Sequence, residues 1–182
     1  MINCVINIRF FLFLRDIDLV LAKESKAQNC HHCGGILDVS NYLRKPRGIK
    51  ETRDDDISHI RFSFCCRKCR KRMTPQSVRF LGRKVYVGMC VIFAMSAEWL
   101  QVTFTKICRQ TLARWRRYWN GILCDSSRFW KKVKCQLPPN FQTNGSPVPI
   151  IELFLENDAK QEEVYSRILK FFSPLSVRGP SG

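Results

Sequence analysis

Two short runs in the chain could do chemistry. Cys30-His31-His32-Cys33 and Cys66-Arg67-Lys68-Cys69 each carry two thiols with a two-residue spacer. Zinc takes four ligands in a tetrahedron, and two such pairs meeting face to face supply them. The spacer lets the chain reverse and point both sulfurs of a pair at one ion. Gly34 and Gly35 follow the first pair, where a tight turn favours residues free of side-chain constraint. Ile60, Phe62 and Phe64 alternate with Arg61 and Ser63, which predicts a strand leading into the second pair. The pattern is that of a zinc ribbon, with Cys30, Cys33, Cys66 and Cys69 as ligands.

Two features blur the pattern. The gap between Cys33 and Cys66 holds 32 residues, against about 15–20 in common zinc sites. The excess falls in Lys45 to Ser58, a polar loop containing Arg53-Asp54-Asp55-Asp56. Cys65 also adjoins Cys66; the spacing to Cys69 favours Cys66, and His31 or His32 could stand in for a thiol. Two other readings of the pairs are free buried thiols and a thiol exchanger. An exchanger expects a strand–helix setting, whereas these pairs are flanked by turns and basic residues. Cys4, Cys90, Cys108, Cys124 and Cys135 show no ligand spacing and read as packing residues.

The elements that must position these groups follow from periodicity and charge. With 182 residues and 45% hydrophobic content, the chain can bury a core as one domain or two small ones. Phe10, Phe11, Leu14, Ile17 and Leu21 recur at helical spacing over 8–23. Arg9 interrupts the apolar start, Arg15, Asp16 and Asp18 follow it, and no small-residue cleavage site is evident, so a helix is expected here, not a signal peptide. That points to a reducing, cytoplasmic setting, where clustered cysteines bind metal. Residues 85–100 read as a buried helix. Leu112, Trp115, Trp119 and Ile122 form one stripe of a helix over 109–123. Prolines and small polar residues mark 136–149 as a linker. Residues 150–172 read as an acidic amphipathic helix ending before Pro174, and the final residues should fray.

The expected fold is small and α+β, mainly α with a small β zinc ribbon and a helix-turn-helix-like part. Its divisions are an N-terminal helix (1–26), the ribbon and its basic flank (27–84), the helical region (85–135), the linker (136–149), and the acidic helix with its tail (150–182). No apolar run reaches the length of about 18 residues that a membrane span needs.

Net charge is +16, which calls for a polyanionic partner. Residues 44–84 carry 14 Lys/Arg against 4 Asp/Glu, and residues 106–134 carry 9 against 1, so these two blocks hold the excess. The first block includes Arg67, Lys68, Arg70, Lys71 and Arg72, suited to phosphate contact. In the second, Arg109, Gln110, Arg114, Arg116 and Arg117 project away from the Trp stripe. Arg and Gln side chains on such a face can read guanine and adenine edges in the major groove.

TLARWRRYW resembles the recognition helix of helix-turn-helix proteins carried by bacterial transposable elements. CHHCGGILDVSNYLRKPRG and RFSFCCRKCRKRMTPQSVRFLGRKVY resemble the zinc ribbons that precede such helices in transposase-like proteins. The resemblance covers about residues 27–135, with a weaker echo in ILKFFSPLS. It implies site-specific binding of double-stranded DNA by a nucleoid-associated mobile-element protein, with a transposase or recombinase as a further partner. It carries over Cys30, Cys33, Cys66 and Cys69 as zinc ligands and Arg109, Gln110, Arg114 and Arg117 as recognition-helix residues. It departs between Ala97 and Ile107, too short a stretch for a well-marked first helix of the motif.

Catalysis is not expected. The carboxylates at Asp54–Asp56, Glu98 and Asp125 lie on no apolar strand, and neither a convergent nucleophile site nor a glycine-rich phosphate loop is visible. A protein-interaction zinc module that recruits a recombinase or transcription partner is the alternative, and RNA is a further possible ligand.

Overall fold

The computed structural model describes residues 8–44, 59–81, 88–93, 107–156 and 161–177. Helix α1 runs Ile8–Ala27. Phe10, Phe11 and Leu14 are buried on it, and Ile17 and Leu21 pack partly buried beside them. The helix ends where the Asn29 N–H reaches back to the Lys26 carbonyl and Asn29 takes a φ of 58°. Asparagine tolerates that left-handed turn better than most residues. Cys30 follows at once.

Five short strands come next: β1 Leu37–Val39, β2 Tyr42–Leu43, β3 Ile60–Arg61, β4 Phe64–Cys66 and β5 Arg72–Met73. One antiparallel sheet has the order β1-β4-β5, with Leu37 opposite Cys66 and Phe64 opposite Met73. The other pairs β2 with β3. Leu37, Phe64 and Met73 form a small core with Cys30, Cys66 and Ala22 of α1. The single alternating strand expected over 60–64 is not formed: Ile60–Arg61 and Phe64–Cys66 belong to different sheets. Arg61, Ser63 and Phe64 are buried, while Ile60 and Phe62 are half-buried. Arg61 is tolerated inside because its Nη2 donates to the Pro75 carbonyl at 2.7 Å and its guanidinium faces the Phe80 ring. Burial lowers its pKa to about 10, which still leaves it charged near neutral pH.

The larger core is helical. It joins α1 to α2 Gly88–Phe93, α3 Arg109–Ile122, α4 Arg128–Val133, α5 Val148–Leu155 and α6 Gln161–Phe172. Trp115 and Trp119 are buried at its centre, four residues apart on α3. Trp119 donates its indole N–H to the Val91 carbonyl at 3.2 Å, and its ring lies edge-on to Phe172. Ser127 caps α4 by accepting the Trp130 N–H. Of the helix expected over 85–100, Val91, Ile92 and Phe93 are buried in α2; 85–87 and 94–100 lie outside the described residues.

Two further stretches differ from expectation. Residues 150–172 hold two helices, not one. Phe154 and Phe171 have ring centroids 5.7 Å apart, whereas one continuous helix would separate them by about 25 Å. The stretch expected as a linker also contributes to the packing: Leu137 and Thr143 are buried, and Thr143 Oγ1 donates to the Leu123 carbonyl at the end of α3. Gly145, with φ of 68°, lies so close to α3 that a Cβ there would collide with Asn120 Oδ1. The architecture is small and α+β, with six α-helices among the described residues. None of these is long and apolar enough to cross a membrane.

Candidate metal centre

Each cysteine pair is built on the same backbone turn. The Gly34 N–H donates to the Cys30 carbonyl at 2.7 Å, and the Arg70 N–H donates to the Cys66 carbonyl at 3.0 Å. The Cys30 N–H reaches the Gly35 carbonyl, and the Cys66 N–H reaches the Lys71 carbonyl, both at 3.0 Å. Both turns close on a left-handed residue, Gly34 at φ 69° and Arg70 at φ 58°. The pairing of β1 with β4 then sets the turns face to face.

The outcome is a four-sulfur cluster. Sγ atoms of Cys30, Cys33, Cys66 and Cys69 all lie within 4.8 Å of one another and could hold a metal ion. Cys30 and Cys69 are 3.6 Å apart, and Cys33 and Cys66 are 3.5 Å apart. Sulfurs at the corners of a tetrahedral zinc site stand about 3.8 Å apart, so the donor set fits that ion in type and spacing. Its electrostatics also favour a cation. The Cys69 N–H lies against Cys66 Sγ at 3.5 Å and holds that thiol down to about 6, while a second thiolate would meet the first. Although the Lys71 backbone favours its thiolate, Cys69 is pushed up to about 12 by burial and by its sulfur neighbours. A divalent ion relieves that repulsion and lets the thiols ionise together.

Gly35 is required for a steric reason: a Cβ there would stand 2.9 Å from Cys66 Sγ and 3.1 Å from Lys68 Cβ. Cys65 lies outside the cluster, with Sγ 3.6 Å from the Arg70 carbonyl. His31 and His32 are exposed, stand ring against ring, and are not part of the four-ligand group.

Two of the exposed bases near the second cysteine pair, Arg67 and Arg72, are tied to neighbouring groups. Arg67 forms a fork with Asp38, its Nε 2.9 Å from both carboxylate oxygens. Arg72 donates to the Ser40 carbonyl and Ser63 Oγ and lies over the Tyr42 ring. Lys68, Arg70 and Lys71 are exposed around the second turn. On α3, Arg109, Gln110, Arg114, Arg116 and Arg117 are all exposed, opposite the buried tryptophans. Arg61 and Arg79, counted in the first basic block, are buried and offer no surface charge. Sequence reasoning missed the partner that keeps Arg79 inside, the equally buried Asp18. The stretch 94–106, where a helix preceding α3 would fall, is outside the described residues.

No family model matches the chain, and neither does any curated protein or solved structure.

Proposed function

We propose that the protein is a zinc-ribbon, helix-turn-helix-like DNA-binding protein that serves a mobile element in the cytoplasm, at the nucleoid. In this reading Cys30, Cys33, Cys66 and Cys69 hold zinc, which acts structurally and fixes the two turns. The carrying observation is α3. Its tryptophans anchor one side in the core while Arg109, Gln110, Arg114, Arg116 and Arg117 all remain exposed on the rest of its surface. Helices that read the major groove need that division: an anchored apolar side and a donor-rich outer side. Lys68, Arg70 and Lys71 add phosphate contacts from the ribbon. A transposase or recombinase bound at the same DNA is the natural protein partner, and the reading assigns the chain no catalytic role.

The test is a binding titration on selected and scrambled duplexes at several salt concentrations. Arg114→Ala or Gln110→Ala should cost about 1–3 kcal/mol on the preferred duplex and little on the scrambled one. Equal weakening on both duplexes would remove base reading from α3. A second reading, a protein-interaction module, is favoured by the ribbon's exposed apolar residues Ile36, Val39 and Leu43, each 60% or more exposed. Under that reading their replacement by serine would abolish partner capture while leaving DNA affinity unchanged.

A further inference from the structure

Leu14, Asp18 and Ala22 follow one another at four-residue steps along α1, with exposures of 0%, 0% and 3%. Leu14 lies in the helical core and Ala22 in the core of the cysteine-bearing sheet. Asp18 stands between them and uses both oxygens. Oδ2 accepts from Ser77 Oγ at 2.6 Å and from Arg79 Nε at 2.8 Å; Oδ1 accepts the Val78 N–H at 2.7 Å. Arg79 extends the network by donating Nη2 to the Ile60 carbonyl of β3 at 2.9 Å. Ser77 extends it the other way, its N–H donating to Ser176 Oγ at 2.7 Å. Ser176 in turn donates to the Ser173 carbonyl, and Ser173 Oγ bonds Gln76 Oε1. One carboxylate therefore ties α1, β3, the segment 76–80 and the turn Ser173–Ser176.

Apolar residues of similar volume would stabilise such a junction as well or better, because both charges lose their hydration. A satisfied network contributes direction. Three donors meeting two oxygens admit one orientation of the sheet against the helices, whereas an apolar contact tolerates many. We propose that Asp18 is a positioning residue that locks the cysteine-bearing sheet and the helical core into one rigid body. On the DNA-binding reading above, and resting on it, the lock fixes the bases of the second cysteine turn relative to those of α3, so that a duplex meeting both meets them as one two-point surface.

The lock can be tested without DNA or metal as the readout. Asp18→Asn keeps the acceptor for Val78 and removes the charge facing Arg79. Native-state hydrogen exchange in increasing urea, followed by mass spectrometry of the full chain, compares peptides from 60–73 and 109–133. In the unmodified chain both should open at the same urea concentration; in Asp18→Asn the sheet peptides should open first. A loss of stability alone would move both together, and joint movement would overturn the proposal. Should Asp18→Asn fail to fold, Ser176→Ala removes two outer bonds of the network, from the Ser77 N–H and to the Ser173 carbonyl, while leaving both apolar cores intact. It should separate the two openings in the same order, and coincident openings would again overturn the lock.

A duplex titration then reads the DNA clause. Uncoupling two linked contacts should cost about 100-fold in affinity and lower the salt slope toward that of one set alone. Unchanged affinity in an uncoupled variant would overturn the two-point surface while leaving the lock. Absence of duplex binding by the unmodified chain would sink the DNA reading instead, and the exchange experiment would still decide the lock.

Discussion

Gly34 and Arg70 occupy the same position in two copies of one turn, with φ of 69° and 58°. A side chain in that region costs about 1–2 kcal/mol, and glycine avoids the cost. Arg70→Gly should therefore raise stability, by about 0.5–1 kcal/mol once glycine's greater freedom in the unfolded chain is offset. On the proposed DNA-binding function, the same change removes an exposed base and should reduce the salt slope of binding by about one unit. Urea unfolding and a salt series measure the two effects, which run in opposite directions; a destabilised variant would contradict the shared turn.

The proposed zinc site predicts which neighbouring thiol matters. Cys66→Ser should lose bound zinc and Cys65→Ser should keep it, because only Cys66 Sγ joins the cluster. Gly35→Ala should also lose or weaken metal, since its Cβ would press on Cys66 Sγ. Elemental analysis of the three purified variants provides the comparison, and equal zinc in the two serine variants would refute the ligand assignment.

Trp119 should be the most sensitive position on α3. Trp119→Ala removes a fully buried ring and should cost about 3–5 kcal/mol. Trp119→Phe keeps most of the apolar volume but leaves the Val91 carbonyl without its donor, for about 1–3 kcal/mol. Melting curves should rank alanine below phenylalanine and both below the parent; a parent-like melting temperature for Trp119→Ala would place the stripe toward solvent.

Asp38 and Arg67 predict a dependence on acidity. The fork of hydrogen bonds from Arg67 holds the Asp38 carboxyl below its usual range. A lowered acid pKa means the pair contributes above the ordinary carboxylate value and is lost as pH falls through the lower, folded one. Carboxyl-resolved NMR titration should show Asp38 ionising at lower pH than in Arg67→Ala. On the proposed DNA-binding function, Asp38→Asn near neutrality should free Arg67 for phosphate contact and steepen the salt slope, by about one unit at most. Failure of Arg67→Ala to raise the Asp38 midpoint would show that the fork does not persist in solution.

Local pattern carried the parts of the molecule that depend on nearby residues. The two-residue spacers located the four sulfurs because a knuckle is one turn long, and four-residue spacing located Trp115 and Trp119. The alternation over 60–64 suggested one strand with its apolar residues inward, whereas the chain divides there into β3 and β4 of different sheets and buries Arg61 and Ser63. Arg61 and Ser63 went inward because Pro75 and Arg72 supply their bonds, and those partners lie 14 and 9 residues away. Asp18 was invisible in the same way. Read along α1 it breaks an apolar stripe, and only Arg79, 61 residues on, makes its burial tolerable. The two helices within 150–172 share one helical period in sequence, so periodicity alone could not show where the chain reverses.

The bond from the Ser77 backbone to Ser176 spans 99 residues of chain. During synthesis the sheet and most of α1's partners exist well before Ser176 does. At about 5–20 residues per second, the interval is about 5–20 s. Throughout it the Ser77 N–H has no native acceptor, and α6, whose Phe171 and Phe172 lie against Trp119 and Phe129, is incomplete. The nascent chain therefore exposes aromatic surface longest on the side that α6 closes, and a stalled or prematurely released product would aggregate through that side. Pulse-labelled chains halted before residue 160 should be captured by a holdase, while released full-length chains should escape it.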